Sequence, residues 1–129
     1  MKIPDTYKLN FHPLELEVVE VLDFQNFPVL TVEKNSTGFK YLSYLVQFTP
    51  GGHEQRLITP LTDARLDELK AGNISVRSVF ETSELGQVFC LLFDEASGET
   101  KESWLLPFDY FQKNNPVPEN YQIHTAALS

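Results

Sequence analysis

The chain has 129 residues, which is enough for one domain with a sizeable core. Its 18 acidic and 10 basic residues give a net charge of −8. This charge disfavours direct binding to nucleic acid and to anionic membranes, since both favour a basic protein surface. Hydrophobic residues make up 42% of the chain and ten residues are Phe, a composition typical of a folded domain and not of a disordered chain.

The first residues, MKIPD, lack the apolar region of a secretion signal, and no apolar run approaches membrane-spanning length. Cys90 is the only cysteine, which excludes an internal disulfide and argues against a zinc site built from several thiolates. We therefore expect a cytoplasmic protein with no metal or other cofactor.

The first strand is predicted between Leu14 and Phe24, after an irregular entry segment that is interrupted by prolines. Its apolar residues change phase near Val18 and Val19. A one-residue slip would turn half of these side chains to the wrong face, so we expect a β-bulge at this point.

Five further strands are predicted from apolar runs bounded by turn residues. The clearest turn is Asn35-Ser36-Thr37-Gly38, which predicts a hairpin between the second and third strands. The run VFCLLF is continuous and apolar, so it is expected to be the most buried strand. The predicted bounds are Val29–Lys34, Phe39–Phe48, Gln55–Thr59, Val88–Phe93 and Thr100–Leu106.

Residues 62–82 predict an insertion of two short helices between the fourth and fifth strands. Thr62 is a suitable N-cap, and Leu66 and Leu69 form a stripe that should be buried. Gly72 can adopt the left-handed conformation that ends the first helix, and Ser75 can cap the second.

The order of strands, helices and strands predicts an α+β domain with a mostly antiparallel, curved sheet of about six strands. A half-open barrel is an alternative that the pattern leaves open. We expect the domain to span residues 1–106 and to be followed by an extended C-terminal tail, residues 107–129, which packs on the domain or on a partner. Large aromatic side chains are the expected anchors of this tail: Phe108, Tyr110, Phe111 and Tyr121.

Three pieces of the sequence carry a family resemblance: LEVVEVLDFQNFP within Leu14 to Pro28, GFKYL at Gly38 to Leu42, and ITPLTDARLDELKAGNISVRSVF at Ile58 to Phe80. They resemble an uncharacterised bacterial family known only as a domain of unknown function. The resemblance runs from Leu14 to Phe93. It implies a small intracellular protein, in some members from phage or mobile-element neighbourhoods, and it supplies no catalytic residues.

Candidate catalytic and metal-binding residues are few and scattered. His12, His53 and His124 lack the i, i+3 or i, i+4 spacing of a helical metal site. For His53 we favour a solvated turn over a catalytic loop. Cys90 lies inside VFCLLF, so we interpret it as a buried hydrophobic residue and not as a nucleophile. No catalytic, cofactor-binding or metal-binding residue is predicted.

Glu15, Glu17 and Glu20 form an acidic ribbon on the first strand. With the bulge, the three share one outward face, and the nearest bases along the chain are Lys8 and Lys34, so the ribbon is expected to be locally unneutralised. A solvated strand face is the simpler interpretation. The functional interpretation is a docking surface for a basic partner, or a mimic of a row of phosphates.

These observations favour a non-enzymatic module that binds another protein and that is linked to phage defence or mobile elements through the resemblance. The alternative is an acidic inhibitor or immunity protein that occupies the basic nucleic-acid-binding cleft of a nuclease or defence enzyme. An enzyme is the third interpretation, because residues distant in sequence can meet in space. The predicted partner-binding residues are Glu15, Glu17, Glu20, Phe108, Tyr110, Phe111 and Tyr121.

Overall fold

A computed structural model describes residues 1–123 of the chain. These residues form six strands, three α-helices and one short 3₁₀ turn at Asp5–Tyr7. The strands are β1 (Glu17–Phe24), β2 (Pro28–Lys34), β3 (Lys40–Thr49), β4 (His53–Pro60), β5 (Val88–Asp94) and β6 (Thr100–Leu106), and the helices are α1 (Asp63–Lys70), α2 (Val76–Glu81) and α3 (Phe108–Asn114).

The strands form one sheet in the order β1-β2-β3-β4-β5-β6, and every neighbouring pair is antiparallel. The sheet is curved and open and is not closed into a barrel, so the predicted α+β class is confirmed. The sixth strand has its predicted bounds, and the other strand ends lie within two residues of the prediction, except that β1 begins at Glu17 and not at Leu14. The longest buried run belongs to β4, residues 55–60, and not to β5, because both faces of β4 are covered, with Leu57 in one core and Ile58 in the other.

One face of the sheet, here called the helix face, packs against all three helices and forms the larger core. Leu66 and Leu69 of α1 are buried there, as predicted. Phe80 of α2 and Phe111 of α3 are the largest side chains that are fully buried there. The strand side chains of this core come from alternate positions: Leu30, Val32, Leu42, Leu57, Val88, Cys90, Trp104 and Leu106.

The caps of α1 and α2 follow the prediction. The Thr62 hydroxyl accepts a hydrogen bond from the Arg65 amide at 3.3 Å, and the Ser75 hydroxyl accepts one from the Ser78 amide at 3.1 Å. Each bond satisfies an amide that the first turn leaves without a helical partner. Gly72 has φ +77°, the left-handed conformation that ends α1.

The opposite face of the sheet is crossed by residues 9–16, here called the crossing segment. The Leu9 amide donates to the Ser103 carbonyl on β6 at 2.8 Å. Further along, Leu14 packs against Ile58, Phe89 and Leu91 in a second, smaller core. The chain thus runs from the β6 edge across the sheet to the β1 edge, which explains why residues 14–16 are not part of β1.

A buried arginine joins the middle of the sheet to the start of β2. Arg56 is 5% exposed. Its Nε donates to the Ser43 hydroxyl at 2.6 Å, and its Nη atoms donate to the carbonyls of Pro28 at 2.9 Å and Val29 at 3.2 Å. The guanidinium also pairs with Glu54 at 2.5 Å. Arg56 therefore fixes the hairpin that carries β1.

The expectation of an extended tail after Pro107 is wrong for residues 108–114, which form α3. Pro107 precedes the helix and supplies a preset φ, and Asp109 in the first turn and Lys113 in the last turn match the helix dipole. The helix is too short to show a clear period in the sequence. Because Phe111 and the more distal Val117 are fully buried, this segment packs on its own domain.

Candidate partner-binding edge

The two edges of the sheet differ in what lies beside them. β6 is flanked by the start of the chain, since Lys8 forms a bridge with Trp104 and an ion pair with Glu102 at 2.6 Å. β1 pairs with β2 on one side, and no strand or bridge within residues 1–123 pairs with its other side. An edge strand with free amide and carbonyl groups is a template for another polypeptide.

β1 exposes a row of apolar side chains along this free edge. The exposed fractions are 57% for Val18, 48% for Val19, 44% for Val21 and 62% for Phe24. β1 also carries Glu17 and Glu20, and charges on an edge strand discourage contact with other chains. Exposed apolar surface on the same strand is nevertheless typical of interaction sites. Sequence reasoning placed these residues in a strand but missed their exposure, because it could not tell that the first strand is an edge.

The apolar surface continues around the β1–β2 hairpin. Phe27 is 38% exposed and meets Phe48 of β3 edge to face, with ring centroids 5.0 Å apart. Asn26 in the turn between the strands has φ +65°, a conformation that Asn tolerates better than most residues. Phe27 of the hairpin and Phe48 of β3 therefore place two aromatic rings near the turn that follows β1.

Irregular pairing shapes the edge. The register of β1 against β2 shifts between Val18 and Glu20, which confirms the predicted bulge. It shifts twice more, between Val21 and Asp23 and between Asp23 and Phe24. Bulges twist an edge strand and interrupt its regular row of hydrogen-bonding groups. A partner on this edge would therefore gain only a few regular backbone bonds and would depend on side-chain contacts.

A groove of about 860 Å³, here called the C-terminal groove, lies beside β1. Its walls are β1, the α1–α2 connection and residues 119–123. This volume falls within the range of about 300–1,000 Å³ that ligand pockets occupy. The apolar residues that line it are Val21, Leu22, Phe24, Leu69, Ile74, Val76, Tyr121 and Ile123.

The acidic ribbon is neutralised more than expected. Glu17 pairs with Lys34 at 3.2 Å, and Glu20 pairs with Lys70 of α1 at 2.8 Å. Lys70 is distant in sequence and reaches Glu20 because α1 packs on the helix face. The bulge places Glu17 and Glu20 opposite Lys34 and Val32, residues of one face of β2, whereas Glu15 lies in the crossing segment.

A second groove, also of about 860 Å³, joins the crossing segment to the β2–β3 and β5–β6 turns. Glu15 and Glu17 line it together with His12 and Glu99. His12 Nδ1 lies 2.8 Å from the Ser103 hydroxyl, a pairing that the sequence could not show because the residues are 91 positions apart. Ser103 is fully buried, so its hydroxyl is not placed to attack a substrate.

The four aromatic residues of the C-terminal segment have different environments. Phe111 lies in the core, 6.4 Å from the Phe80 ring, and is not available to a partner. The Tyr110 hydroxyl donates to the Lys2 carbonyl at 3.0 Å, which joins the two ends of the described chain. Phe108 is 54% exposed and lies beyond β6, remote in the sheet order from the apolar edge of β1.

Tyr121 anchors the last described residues to β1. Its hydroxyl donates to the buried carboxylate of Asp23, and its ring meets Tyr44 edge to face at 5.5 Å. Burial and the hydrogen bond to Asp23 both raise the pKa of Tyr121. Tyr121 and Glu20 line the C-terminal groove, so two of the predicted partner-binding residues meet there.

The remaining candidates show no site chemistry in the described part of the chain. Burial raises the pKa of the Cys90 thiol to about 12, which keeps it protonated at neutral pH. Residues 1–123 hold no group of three or more His, Cys, Asp or Glu side chains that could bind a metal. His53 begins β4, and His124 lies outside the described residues.

No helix within residues 1–123 is long and apolar enough to cross a membrane.

Fold and site define the class: an α+β domain with an open antiparallel sheet, one covered edge and one exposed apolar edge. The model of a family of unknown function, DUF6575, matches residues 14–103, which is more than half of the chain. The chain therefore belongs to this family. No curated protein and no solved structure matches it. The matched range includes β1 to β5 and both helices of the insertion, whereas residues 119–123 of the groove wall lie outside it.

Proposed function

We propose that this protein is a cytoplasmic, non-enzymatic binding module that docks another protein on the free edge of β1. The observation that carries the proposal is the contrast between the two edge strands of the sheet. Val18, Val19, Val21 and Phe24 are 44–62% exposed on a strand with a free side, whereas the chain flanks its other edge strand with its own residues. An exposed apolar edge favours aggregation unless a partner covers it.

The test is affinity capture from a lysate of the source organism with the full chain as bait, followed by mass spectrometry. The edge variant carries Val18→Lys and Val19→Lys, which place two charges on exposed positions. The matched control carries Leu105→Lys, because Leu105 is exposed on the other edge strand, β6. All three baits are melted first to establish that they are equally folded.

We expect wild type and the Leu105→Lys control to retain the same partner and the edge variant to lose it by at least about tenfold, the effect of one or two central apolar contacts. A partner retained equally by all three baits would contradict docking on β1. A bait that retains nothing specific would contradict the binding function itself.

The alternative function, an acidic inhibitor of a nucleic-acid-binding cleft, is supported by the net charge of −8. The ion pairs of Glu17 and Glu20 weigh against it, because a phosphate mimic requires free charge. Salt separates the two functions, since exposed charge contacts are screened at high ionic strength. An inhibitor would lose its partner as salt rises and through Glu15→Lys, whereas apolar docking on β1 would be weakened far less by salt and would tolerate Glu15→Lys.

A further inference from the structure

The C-terminal groove and the exposed edge share two residues. Val21 and Phe24 are exposed on β1 and also line the groove. Side chains of an extended polypeptide point alternately to opposite faces of a sheet. A segment laid along β1 would therefore direct every second side chain toward the helix face, where the groove opens.

The groove suits apolar side chains. Leu69 and Val76 form buried parts of its wall, and Ile74 and Tyr121 are half-buried beside them. The three register shifts of β1 limit regular backbone pairing. Side chains inserted into the groove would thus supply most of the binding energy, since buried apolar anchors dominate interfaces of this kind.

The rim of the groove is acidic. Lys70 lines it but is already ion-paired with Glu20 at 2.8 Å. Glu119 also lines it, is exposed, and forms no ion pair with any residue of 1–123. Glu119 is therefore the acidic group of the rim that is left for a partner. A basic side chain beside the apolar anchors would complement this rim.

We propose that the C-terminal groove binds an extended segment of the partner protein that carries large apolar residues at alternate positions and a Lys or Arg beside them. The apolar residues enter the groove between β1 and the α1–α2 connection, and the basic residue meets Glu119. This inference rests on the proposed docking function, since it assigns the chemistry of the segment that covers β1.

The probes are two synthetic peptides of ten residues, one alternating Leu and Lys and one alternating Leu and Glu, each labelled for fluorescence anisotropy. The full chain is compared with Phe24→Gln, which removes an exposed apolar residue from the groove, and with Phe108→Gln as matched control, since the two rings are 62% and 54% exposed. Glu119→Gln tests the acidic rim, with Glu95→Gln, an exposed loop residue, as its control.

We expect the Leu-Lys peptide to bind wild type at least about tenfold more tightly than the Leu-Glu peptide. Phe24→Gln should weaken its binding about tenfold, a loss equal to about 1.4 kcal/mol, and Phe108→Gln should leave it unchanged. Glu119→Gln should weaken binding at low salt more than at high salt, and Glu95→Gln should not.

Equal binding of the Leu-Lys peptide to Phe24→Gln and Phe108→Gln would show general attraction to an acidic protein and would overturn the proposal. Failure of both peptides to bind wild type would also overturn it.

A truncated chain that ends at Ile123 tests whether residues 124–129 of the chain itself occupy the groove, since they follow the groove-lining residue Ile123 in the sequence. Binding only after this truncation would assign the groove to the chain itself and overturn the proposal. If the captured partner fails to bind the Val18→Lys, Val19→Lys variant but still binds Phe24→Gln, the groove proposal is overturned and the proposal of docking on β1 stands.

Discussion

At the β6 edge, the start of the chain lies against the sheet, with a bridge between Lys8 and Trp104 and a hydrogen bond from the Leu9 amide to the Ser103 carbonyl at 2.8 Å. At the β1 edge, Val18 and Phe24 stay 57% and 62% exposed beside a free side of the strand. Covering an edge removes the risk of unwanted pairing. The difference is that the chain flanks one edge with its own residues and leaves the other exposed, and the proposed function assigns the exposed edge to a partner.

An exposed apolar edge strand has to be attached rigidly to the core, because a loosely packed apolar hairpin would aggregate. Arg56, Leu69 and Tyr121 hold β1 and its surroundings from the core side. Variants of these residues test whether the exposed edge is a rigid surface of a stable fold or a weakly held strand.

The largest expected effect belongs to Arg56→Ala. The substitution leaves the carbonyls of Pro28 and Val29 without their donor and Glu54 without its partner, so we expect a loss of about 3–5 kcal/mol in the free energy of unfolding. Denaturant unfolding measures it. Lys101→Ala is the control, because its pair with Glu99 is exposed and should contribute less than about 1 kcal/mol. Equal losses for the two variants would mean that Arg56 does not hold the hairpin.

Leu69→Ala tests the helix beneath the groove. Leu69 is 4% exposed in the core, so we expect a loss of roughly 2–5 kcal/mol from the removed methyl groups and the cavity left behind. Leu85→Ala, at a position 60% exposed, should change stability by no more than about 0.5 kcal/mol. A thermal melt in which Leu69→Ala behaves like Leu85→Ala would show that α1 is not packed as described.

Tyr121→Phe tests the anchor between the C-terminal segment and β1. Loss of the hydroxyl that donates to buried Asp23 should cost about 1–3 kcal/mol near neutral pH. The folded state raises the pKa of Tyr121, so this contribution is complete below the unfolded tyrosine pKa of about 10 and declines as pH rises through and above it.

The stability difference between wild type and Tyr121→Phe should therefore shrink from pH 8 to pH 11 in denaturant titrations. Titration of Cys90 occurs in both proteins and cancels in the difference. A difference that grows with pH would contradict the hydrogen bond to Asp23.

The smallest expected effect concerns Cys90, on the strand next to the covered edge. It is fully buried and its pKa is raised to about 12, so a thiol reagent at neutral pH should label it only after unfolding. Labelling rates in native buffer and in denaturant measure this. Rapid labelling of the native protein would show that the covered half of the sheet opens more readily than its packing indicates.

Local patterns predicted the fold well where the signal lies within a few residues. The bulge near Val18, the caps Thr62 and Ser75 and the turn glycine Gly72 each follow from neighbouring residues, and all are present. The helix at residues 108–114 was missed because seven residues show too little periodicity beside Pro107.

The candidate site depends on strand order, which no local pattern contains. Val18 and Val21 have the same sequence pattern whether β1 lies at an edge or in the middle of the sheet, so their exposure was not predicted. Likewise Lys70 neutralises Glu20, and His12 meets Ser103, only because the fold joins distant segments. Glu17 and Glu20 of the acidic ribbon lie on the strand that carries the exposed apolar residues, but their ion pairs weaken the charge argument that singled the ribbon out.

Hydrogen exchange of the full chain with and without its captured partner tests the central claim most directly, because it reports each backbone amide in both edge strands. The account predicts that the partner slows exchange in residues 17–24 of β1 and in the α1–α2 connection, and leaves β6 and the crossing segment unchanged. Slower exchange at β6 with no change at β1 would contradict it, since the partner would then bind the edge that the chain already covers.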